Sequence, residues 1–527
     1  MPRKHRAPDL EELALRSVGT YITDFGKNLI RPIQEISQQD PDLGLKTLSK
    51  LLTAMKYRLS SSVPWHLYDK MAIAALGSIM NLINETRKSY NDFSPIGIFL
   101  SEVNVVVSLI EVVVHANLRS IEFAAWPKIM RHVLYNNLHN MTGLEVLDLG
   151  SGSAGWRTSD IEKIIINGVA TMPNLISFTL CFDCTDNIIA AVGQNCPKLR
   201  YIDVTASRSV TDRSIVALSK SRVLREVKLF RTSVSIIGYA NLLLAHSRLE
   251  DIGRCHEIGN VLEHIREKFD ATTENYEKQL YLRSFESRNV AMNHLYLLIA
   301  MCPYVTRLSL MCDERISDLT ILAALENLTE LRLLSCYFYA DRVKNLLELT
   351  NGRIISLHLE HVDEIDTSAL VYISQYCPEI RNLTFYNCEL LDHTSSHFRK
   401  LPVEPFKYLE RIKFVADCAS VHLEFLLSHC TNVKFIQLGS STGIGDTTMK
   451  RVFSQNPMSK LEELKILYSD DLSMRTVRLL MQNCGNLRRI SELESWQGIS
   501  SEELRIFREE LKTNNFDLDT SPTLSLA

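Results

Sequence analysis

The sequence has no apolar run long enough to cross a membrane. Its most apolar stretch, residues 103–114, is interrupted by Asn104 and Glu111 and is shorter than the roughly 20 residues that a bilayer requires. We therefore interpret this stretch as buried protein core and expect no membrane association.

A secretion signal is also lacking at the start. The first residues, "MPRKHR", are basic, but Asp9, Glu11 and Glu12 follow where a signal peptide would turn apolar. The segment predicts a solvated, disordered terminus, with a weak nuclear signal as the alternative. Without a secretory signal, the 12 cysteines indicate reduced thiols in the cytosol or the nucleus.

The chain carries little net charge. Its 58 Lys and Arg against 62 Asp and Glu leave a formal charge of −4, and 46% of the residues are hydrophobic. This is the composition of an ordinary soluble protein, and nothing in it predicts a nucleic-acid partner. At 527 residues the chain exceeds what one hydrophobic core supports, so we expect two domains or an elongated repeat array.

Motifs of enzymes and metal sites are scarce. The 15 histidines are scattered without H-E-x-x-H spacing, and no Ser/His/Asp order, P-loop or paired-carboxylate motif stands out. Cys181 and Cys184 form a C-x-x-C, but a structural zinc site needs a second ligand pair, and the nearest thiol, Cys196, belongs to the repeat described below. We expect no catalysis, cofactor or metal, with zinc at this motif as the alternative.

One stretch looks like a cofactor loop. In "LEVLDLGSGSAGW", residues 144–156, the glycines match G-x-G-x-x-G, and Asp148 before them is similar to the first motif of methyltransferases that bind S-adenosylmethionine. A cofactor fold needs the next strand to end in an acidic residue about 20 residues on, and "LISFTLCFD" reaches Asp183 too late. The glycines are more simply a turn that leaves a strand, and a methyltransferase stays as an alternative.

The pattern L-x-x-L-x-L of "LEVLDL" recurs along most of the chain. Fifteen copies are spaced by about 26 residues on average, within the range of leucine-rich repeats. They predict an α/β leucine-rich-repeat solenoid, or horseshoe, over residues 118–500, in which "LEVLDL" is the strand of one repeat, or one rung. The copies begin at Leu118, Leu144, Leu175, Leu199, Leu224, Leu249, Leu280, Val305, Leu328, Ile354, Ile380, Leu409, Val433, Leu461 and Leu487.

The rung at Leu280 is weak. It is the only copy between Leu249 and Val305, and the intervening "IREKFDATTENYEKQ" is charged and poor in apolar residues. We interpret this part as a surface excursion or a poorly formed repeat.

Cysteine recurs at fixed places in the repeats. One set, Cys196, Cys302, Cys377, Cys430 and Cys484, lies three residues before the first apolar residue of a strand, and a second set follows the strands. The chain thereby resembles the cysteine-containing leucine-rich repeats of substrate receptors of cullin-RING ubiquitin ligases. Each cysteine is expected to be a small apolar plug between stacked coils, which is a structural role.

The first 117 residues have a different period. Residues 40–59 and 64–87 are helical patterns, and 8–35 is a third, with one apolar face. They predict a helical adaptor-binding or capping module, 1–117. The apolar face of the first helix consists of Leu10, Leu13, Ala14, Val18, Tyr21, Ile22, Phe25 and Leu29.

Two segments of that module resemble the boxes by which receptors join a ligase. "LEELALRSV" resembles the BC box that contacts Elongin C, and "VPWHLYDKM" resembles the cullin box that selects the cullin-2 scaffold. Two departures are Ala14 in place of the commoner cysteine and Asp9 in place of Ser, Thr or Pro; in addition, about 45 residues separate the boxes. The resemblance implies an adaptor site made of Leu10, Leu13, Ala14, Val18, Val63, Pro64, Leu67 and Met71.

Two alternatives to this adaptor site remain. The apolar residues of the boxes match any amphipathic helix, so that Leu10, Ala14 and Val18 could simply pack on the other helices. "VPWHLYDKMAIAALGSI" also looks like a proline-led F-box helix, which would exchange Elongin B and C for the Skp adaptor and its cullin.

The residues between the recurring leucines predict a binding wall. In such solenoids they point out of the sheet into the concave side, whereas the leucines fill the core. The wall is mixed but mostly basic, with aromatic anchors, and suits an acidic or phosphorylated segment because arginine binds carboxylate or phosphate through charge-assisted hydrogen bonds. The predicted substrate-binding residues are Phe230, Arg307, Arg332, His358, Tyr386, Arg411 and Lys413, with Glu360, Lys465 and Arg489 on the same wall.

Beyond the repeats, residues 501–527 predict a capping helix, "SEELRIFREELK", and a disordered tail. The function we expect is that of a substrate-recognition subunit of a cullin-RING ubiquitin ligase, with an interaction scaffold that has no ligase attached as the alternative.

Overall fold

The computed structural model describes residues 2–88, 96–151, 158–270, 279–391 and 406–523; of helix residues 96–101, 158, 159 and 270 it describes only the backbone. Most of the glycine-rich run, residues 152–156, and part of the charged segment, residues 271–278, lie outside this range. The described chain packs as two compact units. One comprises residues 7–254, and the other comprises residues 255–523 with residues 2–6.

The first unit begins with helices, as the 3.6-residue period predicts. A 3-10 turn, Trp65–Leu67, precedes the third helix, and another, Leu109–Val112, follows the fourth. The apolar stretch 103–114 is buried where its side chains are apolar, as expected. The helices are α1 (Leu10–Gln39), α2 (Pro41–Ser62), α3 (Tyr68–Lys88) and α4 (Ile96–Ser108).

The remainder of this unit is a five-stranded parallel sheet whose neighbours follow chain order. The copy at Leu249 makes only an isolated bridge, between Glu226 and Asp251. The strands are β1 (Ser120–Glu122), β2 (Val146–Ser151), β3 (Ser177–Cys181), β4 (Tyr201–Asp203) and β5 (Glu226–Lys228). The helices between and after them are α5 (Lys128–Asn136), α6 (Thr158–Val169), α7 (Asp186–Asn195), α8 (Asp212–Leu218) and α9 (Ile236–Ala245).

The second unit contains a nine-stranded parallel sheet. Its strands are β6 (Ser284–Ser287), β7 (Arg307–Met311), β8 (Glu330–Tyr337), β9 (Ser356–Asp363), β10 (Asn382–Glu389), β11 (Arg411–Asp417), β12 (Phe435–Leu438), β13 (Glu463–Ile466) and β15 (Arg489–Ser491). A separate pair is formed by β14 (Ser469–Ser473) and β16 (Trp496–Gly498).

The connections of this sheet are mostly helical. They are α10 (Ile258–Asp270), α11 (Met292–Met301), a 3-10 turn (Leu319–Ala324), α12 (Val343–Leu349), α13 (Thr367–Tyr376), α14 (Ser420–His429), α15 (Asp446–Gln455) and α16 (Met474–Asn483), and α17 (Ser501–Thr513) follows the last strand. The helix predicted after residue 500 is thus confirmed as a helix. Ser500 and Glu503 close its start as a capping box.

The recurring leucines form the core of both sheets. Leu147 and Leu149 of β2 are fully buried, as are Leu331 and Leu357, which are paired across β8 and β9. Strand residues in between remain exposed or half-exposed, because side chains alternate between the two faces of a strand. The α/β leucine-rich-repeat fold with N-terminal helices is therefore confirmed.

The rung near residue 280 was assigned two residues too early. Other copies start two residues before their strand, whereas β6 starts at Ser284, four residues after Leu280. The equivalent core positions are Leu282 and Phe285, which are both buried. Leu280 itself is buried, so its apolar character misled the assignment, and "IREKFD" is the end of α10 rather than an excursion.

Both chain ends are ordered within the described residues, so the prediction of disorder was wrong for residues 2–6 and 514–523. Lys4 and Phe516 form an antiparallel bridge, and the N–H of Asp517 donates to the carbonyl of Arg3 at 2.7 Å. Asp519 forms a parallel bridge with Arg489 at the edge of the nine-stranded sheet. Backbone pairing and a buried Leu518 hold the tail, although its composition is polar.

The turn after β2 has a structural explanation. The carboxylate of Asp148 accepts the N–H of Gly150 at 2.8 Å, and Gly150 has a φ of +61°. Asp251 and Gly253 repeat the arrangement at 2.7 Å with a φ of +62°. Because a glycine adopts this conformation without strain, the sequence that resembled a cofactor motif begins as a turn of the repeat.

Candidate functional surfaces

The start of α1 presents an apolar stripe to solvent. Leu10 is 83% exposed, Leu13 is 47% exposed and Tyr21 is 43% exposed. Ala14 is exposed and Val18 is half-buried at the border of the stripe. At about 100° per residue these side chains share one side of the helix. We call these five residues the α1 stripe.

The opposite side of α1 packs on its own module. Its buried residues are Gly19, Ile22, Gly26, Leu29 and Ile33. The alternative that the BC-box residues are core is therefore wrong for Leu10, Leu13 and Ala14, because helix packing uses the other face.

The start of α1 is also rigidly held. Asp9 caps it by accepting the N–H of Glu12 at 2.7 Å, and Lys70 of α3 lies 2.5 Å from the carboxylate of Glu11. The exposure of Leu10 is therefore a property of a well-formed helix end rather than of a loose terminus.

Helices α1 and α3 run parallel. Glu11 contacts Lys70, a Cβ on Gly19 would lie 2.2 Å from Oγ of Ser78, and Lys27 lies 3.5 Å from Glu85. Glycine at position 19 permits this close approach. The chain between the two boxes therefore returns to its starting end, and the start of α3 lies beside the start of α1.

The second box divides into exposed and buried residues. Pro64 is exposed, Val63 and Leu67 are half-buried, and neighbouring Trp65 is 69% exposed. Met71 is fully buried, so its assignment to the adaptor surface is wrong. It lies one turn inside α3, where the apolar face of that helix packs within the module.

On the nine-stranded sheet, strand register brings four of the predicted wall residues together. Arg332 pairs with His358, His358 with Thr384 and Thr384 with Lys413, on four adjacent strands. Continuing in register are Gln437 on β12 and Lys465 on β13. We call these six residues the cationic row.

One end of the cationic row contains an internal ion pair. Arg332 donates to the carboxylate of Glu360, and Nε2 of His358 lies 3.4 Å from the same carboxylate. Burial, with Arg332 and Lys413 nearby, lowers the pKa of His358 to about 4. At neutral pH this histidine is therefore uncharged. The carboxyl of Glu360 also has a lowered pKa, since the hydrogen bond from Arg332 outweighs its burial.

Two further cations lie on aromatic rings. The guanidinium of Arg411 lies 4.3 Å from the ring centre of Phe435, and Nζ of Lys413 lies 5.6 Å from that of Tyr386. Such contacts hold a cation in place while its hydrogen-bond donors remain available. Sequence reasoning missed Thr384 and Phe435, although both occupy positions that alternate with the core leucines.

Six predicted wall residues lie outside the cationic row, among them Arg411 and Arg489, which share the register of Arg307. Arg307 is exposed at the start of β7, in register with Glu330 rather than with the cationic row. Phe230 follows β5 in the other unit, where the guanidinium groups of Arg231 and Arg254 lie 5.3 and 5.2 Å from its ring centre.

Ten of the twelve cysteines are buried, and Cys181 and Cys418 are half-buried. Burial raises the pKa of Cys196, Cys377 and Cys484 to about 12, so these thiols are poor nucleophiles. Burial raises the pKa of Cys181, in the C-x-x-C, to about 11, and its Sγ contacts the carboxylate of Asp203 at 3.8 Å. In the described part of the chain no three His, Cys, Asp or Glu side chains are grouped to hold a metal ion.

None of the described helices combines the length and the apolar character needed to span a bilayer.

Comparison with known proteins yields structural likenesses only. No family model and no curated protein matches the chain. A leucine-rich-repeat protein of Leptospira interrogans is 13% identical, over 77% of this chain and 95% of its own, with a TM-score of 0.35. The Rad7 and Elc1 complex of yeast is 12% identical over 70% and 89%, with a TM-score of 0.35. An internalin of Listeria monocytogenes is 12% identical over 69% and 89%, with a TM-score of 0.36. At these values the likenesses carry no argument about function.

Proposed function

We propose that this chain is the substrate-recognition subunit of a cullin-RING ubiquitin ligase. The helical module would bind Elongin C, with Elongin B and the cullin-2 scaffold, and the cationic row would hold the substrate. The chain itself would transfer no ubiquitin; it would position a substrate protein in the cytosol or the nucleus near the enzyme that does.

The observation that carries this proposal is the shared location of the two boxes. The parallel packing of α1 and α3 places Leu10 and Pro64 at one end of the module, which removes the objection that 45 residues separate them in the sequence. An exposed leucine on a capped helix end suits an anchor that inserts into a partner's pocket.

The same packing favours Elongin over the Skp adaptor. In an F-box arrangement α3 would supply the apolar contact face, but Met71, Ala75 and Ile79 of α3 are fully buried within the module. The α1 stripe is the face that remains available to a partner.

Affinity purification with mass spectrometry tests the adaptor. Leu10→Ala/Ala14→Phe should abolish recovery of Elongin B and C, because truncating an anchor costs about 2 kcal/mol or more and the phenylalanine obstructs its pocket. Pro64→Ala/Leu67→Ala should retain Elongin and lose the cullin. Leu45→Ala on α2, a leucine that is 66% exposed, is the matched control and should behave as wild type.

Other results would contradict the adaptor assignment. Recovery of the Skp adaptor with wild type would favour an F-box receptor. A folded wild-type chain that recovers neither adaptor would leave an interaction scaffold.

The cationic row can be tested in the same purification. Replacing Arg332 and Lys413 by Glu should remove acidic or phosphorylated substrate proteins while Elongin is still recovered, since the two surfaces use different residues. Undiminished recovery of those substrates would exclude the row as their binding surface.

A further inference from the structure

The C-terminal tail lies on the end of the open face where the cationic row ends. The N–H of Ile490 donates to the carbonyl of Asp519 at 3.0 Å, so the tail extends the sheet beyond β15. Four residues later, Thr523 accepts a hydrogen bond from Lys465, and its N–H donates to the carboxylate of Glu492 at 2.9 Å; that carboxylate lies 3.6 Å from Nζ of Lys465. The tail therefore meets the side chain of Lys465, the last residue of the cationic row.

One carboxylate of the tail binds a cation beside the cationic row. Nε and Nη2 of Arg489 donate to one carboxylate oxygen of Asp519 at 3.0 and 2.8 Å. Arg508 donates to the carbonyl of Thr520 at 2.8 Å, and Leu518 is buried as an apolar anchor. An extended segment with carboxylates and one apolar side chain therefore fits this surface.

Lys413 of the row and Arg411 beside it are not occupied in this way. Lys413 contacts the ring of Tyr386, and Arg411 that of Phe435; no ion pair of either cation with a carboxylate is found within the described residues. Lys413 and Lys465 are separated by one strand, so their backbones lie about 10 Å apart at the usual strand spacing. A partner that followed the whole row would meet Thr523.

We propose that the cationic row binds an extended acidic segment. Residues 517–523 are a tethered segment of the same kind, and they occupy the end of the row at Lys465. An acidic partner thus binds first at Lys413, beside Arg411, and displaces the tail to reach Lys465 and Arg489. This inference rests on the proposed function only in taking the row as the substrate surface.

The test uses the full chain and a fluorescein-labelled peptide of residues 514–523, NNFDLDTSPT, followed by fluorescence anisotropy at low salt. In wild type the tethered tail competes at an effective concentration in the millimolar range. Asp519→Lys removes that competitor because the new lysine faces Arg489, and the peptide should bind about tenfold more tightly. Glu509→Lys, on the exposed side of α17, is the matched charge control and should bind as wild type.

A second release variant separates displacement from charge. Leu518→Ser removes the apolar anchor at constant charge and should give the same gain, accompanied by faster amide exchange at Ile490. Adding Lys465→Glu to either variant should abolish the gain. Peptide binding that is equal in wild type and both release variants, or that survives Lys465→Glu, would overturn the inference.

The outcome is independent of the adaptor. A gain in peptide binding without recovery of Elongin would support the tethered tail and contradict the ligase proposal. Recovery of Elongin without a gain in peptide binding would support the ligase proposal and contradict the tethered tail.

Discussion

The two parallel sheets use the same scaffold with different charges on their open faces. In the five-stranded sheet the outward register contains Glu122, Asp148 and Asp203, followed by Lys228. In the nine-stranded sheet the equivalent register is the cationic row. The core leucines are alike, so the two sheets differ in the residues that alternate with them, which core packing does not constrain.

The charges also have different partners. Asp148 accepts the N–H of Gly150 at 2.8 Å, and Asp203 accepts that of Thr205 at 3.0 Å, so these carboxylates close the turns of their own repeats. Arg411 and Lys413 instead lie on aromatic rings. A carboxylate that accepts the N–H groups of a turn contributes to folding. A cation that lies on an aromatic ring keeps its hydrogen-bond donors available to a partner. This difference favours the nine-stranded sheet for the proposed binding surface, although Lys228 of the five-stranded sheet also lies on a ring, 5.0 Å from the centre of Tyr201.

The largest expected effect tests what the sheets share. Leu147→Ala and Leu331→Ala each remove a fully buried leucine and should lower the free energy of unfolding by about 2–5 kcal/mol. Urea denaturation measures this. Ser309→Ala, on the open face beside Leu331, is the control and should change stability little. A much smaller loss for Leu147→Ala would show that the two cores are not equivalent.

The next effect distinguishes cations within the row. Arg332→Glu places a second carboxylate against Glu360, which is only 14% exposed, and should cost on the order of 1–3 kcal/mol. Lys413→Glu breaks no carboxylate pair among the described residues and should cost less than about 0.5 kcal/mol. Thermal denaturation compares the variants. Equal destabilisation would contradict the separation of folding from binding charges.

A pH-dependent effect should occur equally in both units. Burial opposes ionisation of Asp186 and Asp446, but hydrogen bonds from Ser214 and from Ser473 outweigh it and lower the pKa of each carboxyl. Because the folded pKa lies below the unfolded one, this stabilisation is present above about pH 4 and is lost as pH falls through the folded value.

Asp186→Asn and Asp446→Asn should therefore each cost about 1–2 kcal/mol at pH 7 and have little effect near pH 2. Thermal melts of both variants and wild type at the two pH values check this. A cost that persists unchanged in acid would assign the effect to packing rather than to charge.

The last effect concerns the turns. Gly150→Ala should cost about 1–2 kcal/mol, because its φ is +61° and its Cβ would lie 2.8 Å from that of Ala124. Gly253→Ala meets only the flexible Lys228 side chain at 3.1 Å and should cost about 1 kcal/mol. Chemical denaturation of both variants measures the difference. A reversed order would indicate that crowding at Ala124 relaxes.

Several features were predictable because they depend on neighbours in the chain. The apolar period located α1, α2 and α3 and most strands of both sheets, and the cysteines before the strands are buried as expected. The wrong assignments concern residues that are apolar because they pack in another part of the core. Leu280 and Met71 matched a motif by composition, but the first lies outside the strand register and the second lies in the helical core.

The sequence by itself determined the leucine-rich-repeat fold, because alternation and repeat length are local properties that each coil satisfies with its own residues. Only the tertiary structure decided which side of α1 is exposed, that the start of α3 lies beside the start of α1, and that the polar tail contacts Arg489 and Lys465. Those results depend on contacts between residues far apart in the chain, such as Glu11 with Lys70 and Asp519 with Arg489. No local pattern encodes such contacts, because a charged residue has the same sequence signature whether it is solvated or paired.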